Sequence, residues 1–205
     1  MNAQDCLQIL REIKDVAFAT ADREGKPKVR IIDVMLVEQE RLIFCTARGK
    51  AFYRQLLDRP EVAVTGMNRQ FQMVRLEGRV KKLDRHRDWI DRIFEENPAM
   101  RDVYPGNARY ILEPFRIEDA VLEFFDLGRQ PIYRESFSLG GISEEEKGFM
   151  ISESCIQCGS CLSICPQRCI QKGTPYRIQQ EHCLHCGLCA ENCPAEAIKR
   201  RRSIC

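Results

Sequence analysis

Cys155-Ile156-Gln157-Cys158-Gly159-Ser160-Cys161-Leu162-Ser163-Ile164-Cys165-Pro166 returns 28 residues later as Cys183-Leu184-His185-Cys186-Gly187-Leu188-Cys189-Ala190-Glu191-Asn192-Cys193-Pro194. Each copy reads C-x2-C-x2-C-x3-C-P, and the following Ile170 and Ile198 keep the same offset. Of 12 cysteines in the chain, only Cys6 and Cys45 precede this stretch; Cys169 and Cys205 accompany the repeated eight. Residues Met1 to Asp15 mix Asp5, Arg11, Glu12 and Lys14 into their apolar positions. They lack the apolar core of an export signal. In a chain expected in the reducing cytoplasm, cysteines so clustered argue for metal rather than disulfides.

The spacing is that of the bacterial run that binds cubane [4Fe–4S] clusters, and residues 149–200 resemble the two-cluster bacterial ferredoxins. Structural zinc instead asks for two separated C-x2-C pairs. The resemblance implies cross-ligation, with the fourth cysteine of each run serving the other cluster. Cys155, Cys158, Cys161 and Cys193 would hold one cluster; Cys183, Cys186, Cys189 and Cys165 would hold its mate. Cys169 occupies the place of Ala197 in the second copy and reads as a small buried residue. Cys6 and Cys205 have no ligand-like neighbours. His182, His185 and His86 read as surface residues.

Charge excludes several classes of function. Lysine and arginine total 32 against 30 acidic residues, a net +2 over 205 residues. This gives no global case for nucleic-acid binding. No apolar run approaches the ~18–20 residues of a membrane span. From residue 151 onward seven basic residues face four acidic ones. Two oxidised clusters with their thiolates add about −2 each, leaving that module near neutral. A freely diffusing carrier gains from strong charge when it seeks partners; a module already tethered to one redox partner does not need it. The run Lys199-Arg200-Arg201-Arg202 reads as a solvated tail.

Residues 1–139 read as a mainly β domain with helices, 140–148 as a charged, glycine-containing linker, and 149–205 as the cluster module with its basic tail. In the first domain, Cys6, Ile9, Leu10 and Ile13 lie on one face of a short helix. Val16–Thr20 and Lys28–Met35 flank a turn rich in Asp, Gly and Pro, a hairpin signal. Arg41–Ala47, Glu61–Met67 and Phe71–Leu83 read as strands, with a helix over Gly49–Asp58. Asp84–Glu96 carries a second helical stripe of Trp89, Ile90, Ile93 and Phe94. Tyr110–Phe115, Ala120–Phe125 and Ile132–Leu139 complete the strand candidates. Mostly strands with a few helices points to a barrel-like core.

The ordered run Phe18-Ala19-Thr20-Ala21-Asp22-Arg23-Glu24-Gly25-Lys26-Pro27-Lys28-Val29-Arg30, then Leu42–Lys50, then Tyr53–Ala63 resembles the FMN-binding split barrel of the pyridoxamine 5′-phosphate oxidase family. Val74–Val80 resembles that family's return strand. The resemblance covers residues 5–135. It implies FMN bound between two subunits of a homodimer, with Arg30, Ile31, Ile32, Asp33 and Met35 lining it. Arg30 would lie near the phosphate. Thr46 would hydrogen-bond the cofactor, with Cys45 beside it. Arg48 and Lys50 would bind phosphate at a helix start, and Gln72 is a further candidate. Two cations, a hydroxyl and free helix N–H groups do suit a dianion. The oxidase's basic, aromatic C-terminal substrate segment is replaced here by linker and cluster module. That makes the family's namesake activity unexpected.

Three readings follow. The first is an oxidoreductase exchanging electrons between two clusters and an FMN that acts on a small organic substrate, fed by an external one-electron carrier. The second is a non-catalytic electron-transfer or redox-sensing protein. The third places haem or a deazaflavin in the barrel. No G-x-G-x-x-G follows a strand, so no resident nicotinamide site is expected. Tyr53, Asp33 and Cys45 are candidate proton donors, and no catalytic residue stands out.

Overall fold

A computed structural model describes residues 1–142 and 146–201. The chain starts with helix α1 (Ala3–Ile13), capped by Asn2 and Asp5 bonding each other's backbone N–H. It buries Cys6, Leu7 and Leu10. Then come β1 (Asp15–Ala21), β2 (Pro27–Asp33), β3 (Leu36–Glu38), β4 (Arg41–Ala47), α2 (Ala51–Asp58), β5 (Glu61–Met67) and β6 (Gln72–Lys82). Helices α3 (His86–Glu96) and α4 (Met100–Val103) lead through a 3₁₀ segment, Gly106–Ile111, into β7 (Leu112–Asp126) and β8 (Tyr133–Leu139).

These eight strands form one sheet, in the order β2-β1-β5-β6-β7-β4-β3 with β8 also on β7. The pairs β1–β2, β1–β5, β5–β6, β4–β7 and β3–β4 are antiparallel. The curled sheet matches the split-barrel expectation. The hairpin read from the turn at Asp22–Pro27 is present, with Phe18 opposite Arg30 and Asp15 opposite Asp33.

Strand alternation sorts the core into two. Phe44 points to one side of β4, where its ring lies 4.8 Å from Phe18, 6.0 Å from Phe52 and 5.7 Å from Phe115. Ile43, Cys45 and Ala47 point to the other side and pack with Met35, Leu83, Leu112 and the α3 residues Ile90, Ile93 and Phe94. Asn97 closes this second layer. Its amide donates to Met35 O (3.0 Å) and Ile93 O (2.9 Å) and its oxygen accepts from Arg11 (3.0 Å).

One expectation needs correcting here: Tyr110–Phe115 and Ala120–Phe125 are not two strands. The 15-residue β7 runs unbroken from Leu112, and Tyr110 belongs to the 3₁₀ segment before it. The charged stretch that breaks the apolar pattern is tied down in place. Arg116 pairs with Glu118 at 2.8 Å, and Glu118 also meets Arg41 at 3.3 Å.

The second compact unit contains Phe125–Glu135, Gln70–Gln72 and the described residues from Glu146 onward. The tip of the β7–β8 hairpin thus clusters with the cysteine-rich module, where Arg134 donates to Cys183 O (3.2 Å). The module holds β9 (Phe149–Ile151), α5 (Ser160–Ile164), β10 (Ile170–Gln171), β11 (Arg177–Ile178), α6 (Leu188–Glu191) and β12 (Ile198–Arg200). β12 pairs with β9 and β10 with β11. Its duplication is physical as well as sequential. Gly159 and Gly187 take left-handed conformations (φ 84° and 82°) at the starts of α5 and α6, and Arg168 and Glu196 do so (51° and 48°) in the turns that follow.

The basic run is not a free tail. Lys199 and Arg200 lie in β12, and Arg201 bonds Gly148 O (2.9 Å) and pairs with Glu146 (3.2 Å). Arg202 and Cys205 fall outside the described residues, as do residues 143–145 of the linker.

Gly78 tests the closeness of β6 and β7. A Cβ there would stand 2.4 Å from Asp119 O and 2.7 Å from Ala120 Cβ. Gly78→Ala should therefore cost about 1–3 kcal/mol through forced displacement of the strands, read as a lower denaturant midpoint. An unchanged midpoint would show that the strands separate freely.

Candidate functional site

The barrel places a half-buried cation of strand β2 against helix α2. The Arg30 guanidinium donates to Thr20 Oγ1 (2.7 Å), Phe18 O (3.2 Å) and Gln55 Oε1 (2.9 Å), and lies 4.5 Å from the centre of the Phe52 ring. All three acceptors are neutral. Among the described residues no carboxylate pairs with it, and partial burial lowers its affinity for the proton. A half-buried charge without a counter-charge favours an incoming anion.

Lys50 stands at the N-cap of α2, whose first turn carries no acidic residue. Thr46, on the Phe44 face of β4, is buried, and its hydroxyl has no partner among the described residues. Such an orphan is unusual in a packed protein and fits a group that accepts or donates from outside the chain.

Arg48 differs from Arg30. It pairs at 2.8 Å with Glu113, which stands opposite Thr46 in β7 and also binds Lys82 at 2.9 Å. Burial pushes the Glu113 carboxyl up, but Arg48 and Lys82 more than offset this and hold it below the usual carboxylate range. Lys82 also reaches the Tyr53 hydroxyl (3.3 Å). The sequence reading missed Thr20, Gln55, Glu113 and Lys82. A glutamine in a helix and a glutamate in a strand carry no local signature.

The other expected residues separate. Ile31 is 62% exposed on the edge strand β2, beside Val29 at 72%, whereas Ile32 is half-buried. Met35 and Cys45 are packed in the layer under α3. Period-2 alternation in β4 turns Cys45 away from Thr46. Burial pushes the Cys45 thiol up to about 12, so it stays protonated and inert at neutral pH. Gln72 clusters with the second unit, not with Arg30. His86, expected in solvent, is half-buried with Nε2 2.6 Å from Leu112 O.

In the module the cysteines gather into two hollows. One is lined by Cys155, Cys158, Cys161 and Cys193 with Pro194. The other is lined by Cys165, Cys183, Cys186 and Cys189, together with Pro166 and Cys169. Each thus takes three cysteines from one repeat and the fourth from the other. Among the described residues no three histidine, cysteine or carboxylate side chains are gathered about a single ion position. Backbone N–H groups point at sulfur from His185 to Cys183 (3.4 Å) and from Ala197 to Cys193 (3.3 Å). An all-sulfur donor set with amides directed at the sulfurs fits an iron–sulfur cluster.

His182 and His185 are half-buried rather than at the surface. His182 Nδ1 lies 2.8 Å from Ile132 O, and burial drives His185 down to about 4, leaving it neutral at pH 7.

The geometry defines a split barrel with an anion-receptive corner, joined to a module with two sets of four cysteines. Sequence models agree on both parts. A model of the pyridoxamine 5′-phosphate oxidase family matches residues 3–108, and one of a 4Fe-4S dicluster domain matches residues 154–197. The chain belongs to the pyridoxamine 5′-phosphate oxidase family and carries a 4Fe-4S dicluster domain at its C-terminal side. No curated protein matches it.

Similar solved structures include a NimC/NimA family protein from Clostridium acetobutylicum (22% identity, TM-score 0.57, covering 67% of this chain and 92% of that one). Another is a protein related to general stress protein 26 from the same organism (12% identity, TM-score 0.52, covering 66% and 95%). A third is an FMN-binding protein related to pyridoxamine 5′-phosphate oxidase from Nostoc punctiforme (15% identity, TM-score 0.46, covering 67% and 93%). At these identities the likeness concerns fold alone. No helix among the described residues is long and apolar enough to cross a membrane.

Asp33 yields a pH prediction. It sits opposite Asp15, with Lys14 at 3.8 Å. Burial first, then the hydrogen bond and charge of Asp15, push its carboxyl above the ordinary value. The protonated form therefore suits the folded state, and stability is lost as pH rises from the ordinary Asp range through the raised one. Asp33→Asn should melt higher than the parent near pH 7 and equal to it near pH 3. A gap that does not grow with pH would acquit the carboxylate pair.

Proposed function

We propose that this protein is an FMN-dependent iron–sulfur oxidoreductase. In this reading two [4Fe–4S] clusters and a flavin exchange electrons, and the flavin reduces or oxidises a small organic substrate. The observation that carries it is one chain joining an all-cysteine dicluster module to a barrel of this family whose half-buried Arg30 meets no counter-charge among the described residues. A bound flavin exchanges electron pairs with organic molecules and single electrons with clusters.

The chain's own residues then have separate tasks. Arg30, fixed by Thr20 and Gln55 against Phe52, and Lys50 at the start of α2 bind the phosphate dianion. The Thr46 hydroxyl supplies an uncommitted polar contact. Arg48 is held by Glu113 and shapes the site more than it charges it. Cys155, Cys158, Cys161 and Cys193 hold one cluster; Cys165, Cys183, Cys186 and Cys189 hold the other.

A homodimer with flavin at the subunit interface is supported by the edge strand β2, which leaves Val29 and Ile31 exposed. Apolar side chains on an open edge call for a cover. The external partner is a one-electron carrier in the cytoplasm, and neither nucleic acid nor membrane is part of the reading.

Anaerobically purified protein should contain about eight iron and eight acid-labile sulfide per chain. It should show paired flavin bands over a broad sulfur-to-iron shoulder, whereas an intense sharp band would identify haem and sink the flavin reading. Turnover of a quinone or nitroaromatic by the reduced protein separates an enzyme from a carrier. Lys50→Ala should weaken FMN binding roughly 10- to 150-fold, from the ~1.5–3 kcal/mol of a charge-assisted contact, with iron content unchanged. Cys193→Ser should damage the cluster of the first repeat. Loss confined to the second repeat's cluster would refute the cross-ligation.

A further inference from the structure

Cys169 is a ninth cysteine in the module and lies in the interior, 3% exposed. Its Sγ stands 3.6 Å from Cys165 Sγ, and it shares the lining of one hollow with Cys183. It lines the same hollow as the four cysteines assigned to the second cluster. The corresponding place beside the first hollow holds Ala197, 1% exposed.

The two places are equivalent by fold. In both repeats a left-handed residue, Arg168 or Glu196, turns the chain after the fourth cysteine. Its N–H bonds that cysteine's carbonyl, Cys165 at 3.1 Å or Cys193 at 3.0 Å. The next residue is thereby delivered against the preceding sulfur. Alanine satisfies this packing in the second repeat, so burial alone does not ask for a thiol at 169.

We propose that Cys169 is a positioning residue that donates an S–H···S hydrogen bond to a ligand of the second cluster and raises that cluster's reduction potential. The inference rests on the cross-ligated dicluster reading above. With Cys165 bound to iron as a thiolate it has no proton to give, and the single S–H of Cys169 becomes the donor to it. A donor beside a ligand sulfur favours the more negative, reduced state, one of the main levers on such potentials. Ala197 offers no side-chain donor, so one symmetrical scaffold yields two unequal clusters.

The test uses the full-length protein with both clusters in place. Wild type should first show about eight iron per chain; a lower count would fail the dicluster reading itself, separately from this inference. Cys169→Ala should keep that iron and shift the midpoint of one cluster, and only one, to lower potential in an EPR-monitored redox titration. Cys169→Ser, which keeps a donor, should restore most of the shift. Unmoved midpoints, an upward shift, or failure of serine to restore would each overturn the proposal. So would loss of about half the iron in Cys169→Ala, which would make Cys169 a ligand.

Discussion

Strand β4 is buried on both faces, and most of the barrel depends on that constraint. Phe44 on one side gathers Phe18, Phe52 and Phe115; Ile43 and Cys45 on the other gather Met35 and the apolar stripe of α3. Burying one large aromatic side chain is worth about 1.5–3 kcal/mol, so two such layers anchor the strand from both sides. The chain then leaves β4 through Thr46, Arg48 and Lys50 into α2. The polar corner is thus attached to a strand buried on both faces, a sound base for holding a ligand in place.

Compensation of charge decides which of the corner's cations can serve an anion. Arg30 and Arg48 look alike in sequence, and both suit phosphate by residue type. The fold distinguishes them. Arg30 meets two carbonyl-type oxygens, a hydroxyl and an aromatic face. These orient a guanidinium without neutralising it. Arg48 meets a buried carboxylate that Lys82 also needs, so its charge is largely spent. The anion-receptive character of the site therefore sits where α2 and β2 meet.

What was legible in the sequence follows the range of the interactions that write it. The edges of β4 and β5 coincide with the reading because strand alternation and Pro60 are local signals. The eight cysteines and their division between two hollows were legible because the repeated C-x2-C-x2-C-x3-C-P spacing is itself a local signal. β7 was misread as two strands since its charged middle is satisfied by Arg41, a residue far away in sequence. Cys45 and its neighbour Thr46, expected together, lie on opposite faces of β4, because a shift of one residue in a strand exchanges its two faces. Asn97 and Glu113 are legible only in three dimensions, because each is defined by partners from separate elements.

Duplication explains why a single substitution in the module is informative. Two copies folded alike supply an internal reference. Where both repeats keep the same residue type, as with Gly159 and Gly187 at the helix starts, the backbone conformation demands it. Where they differ, the scaffold tolerates either residue and the difference acts on what the scaffold holds. Leu184 and Ile156, both exposed, differ at the solvent side of the hollows they line. Cys169 and Ala197 differ within contact of ligand sulfur. In the proposed reading, a symmetrical pair of cysteine cradles gives its two clusters no energetic order of its own. A side chain that differs against the sulfurs while leaving the fold unchanged supplies one.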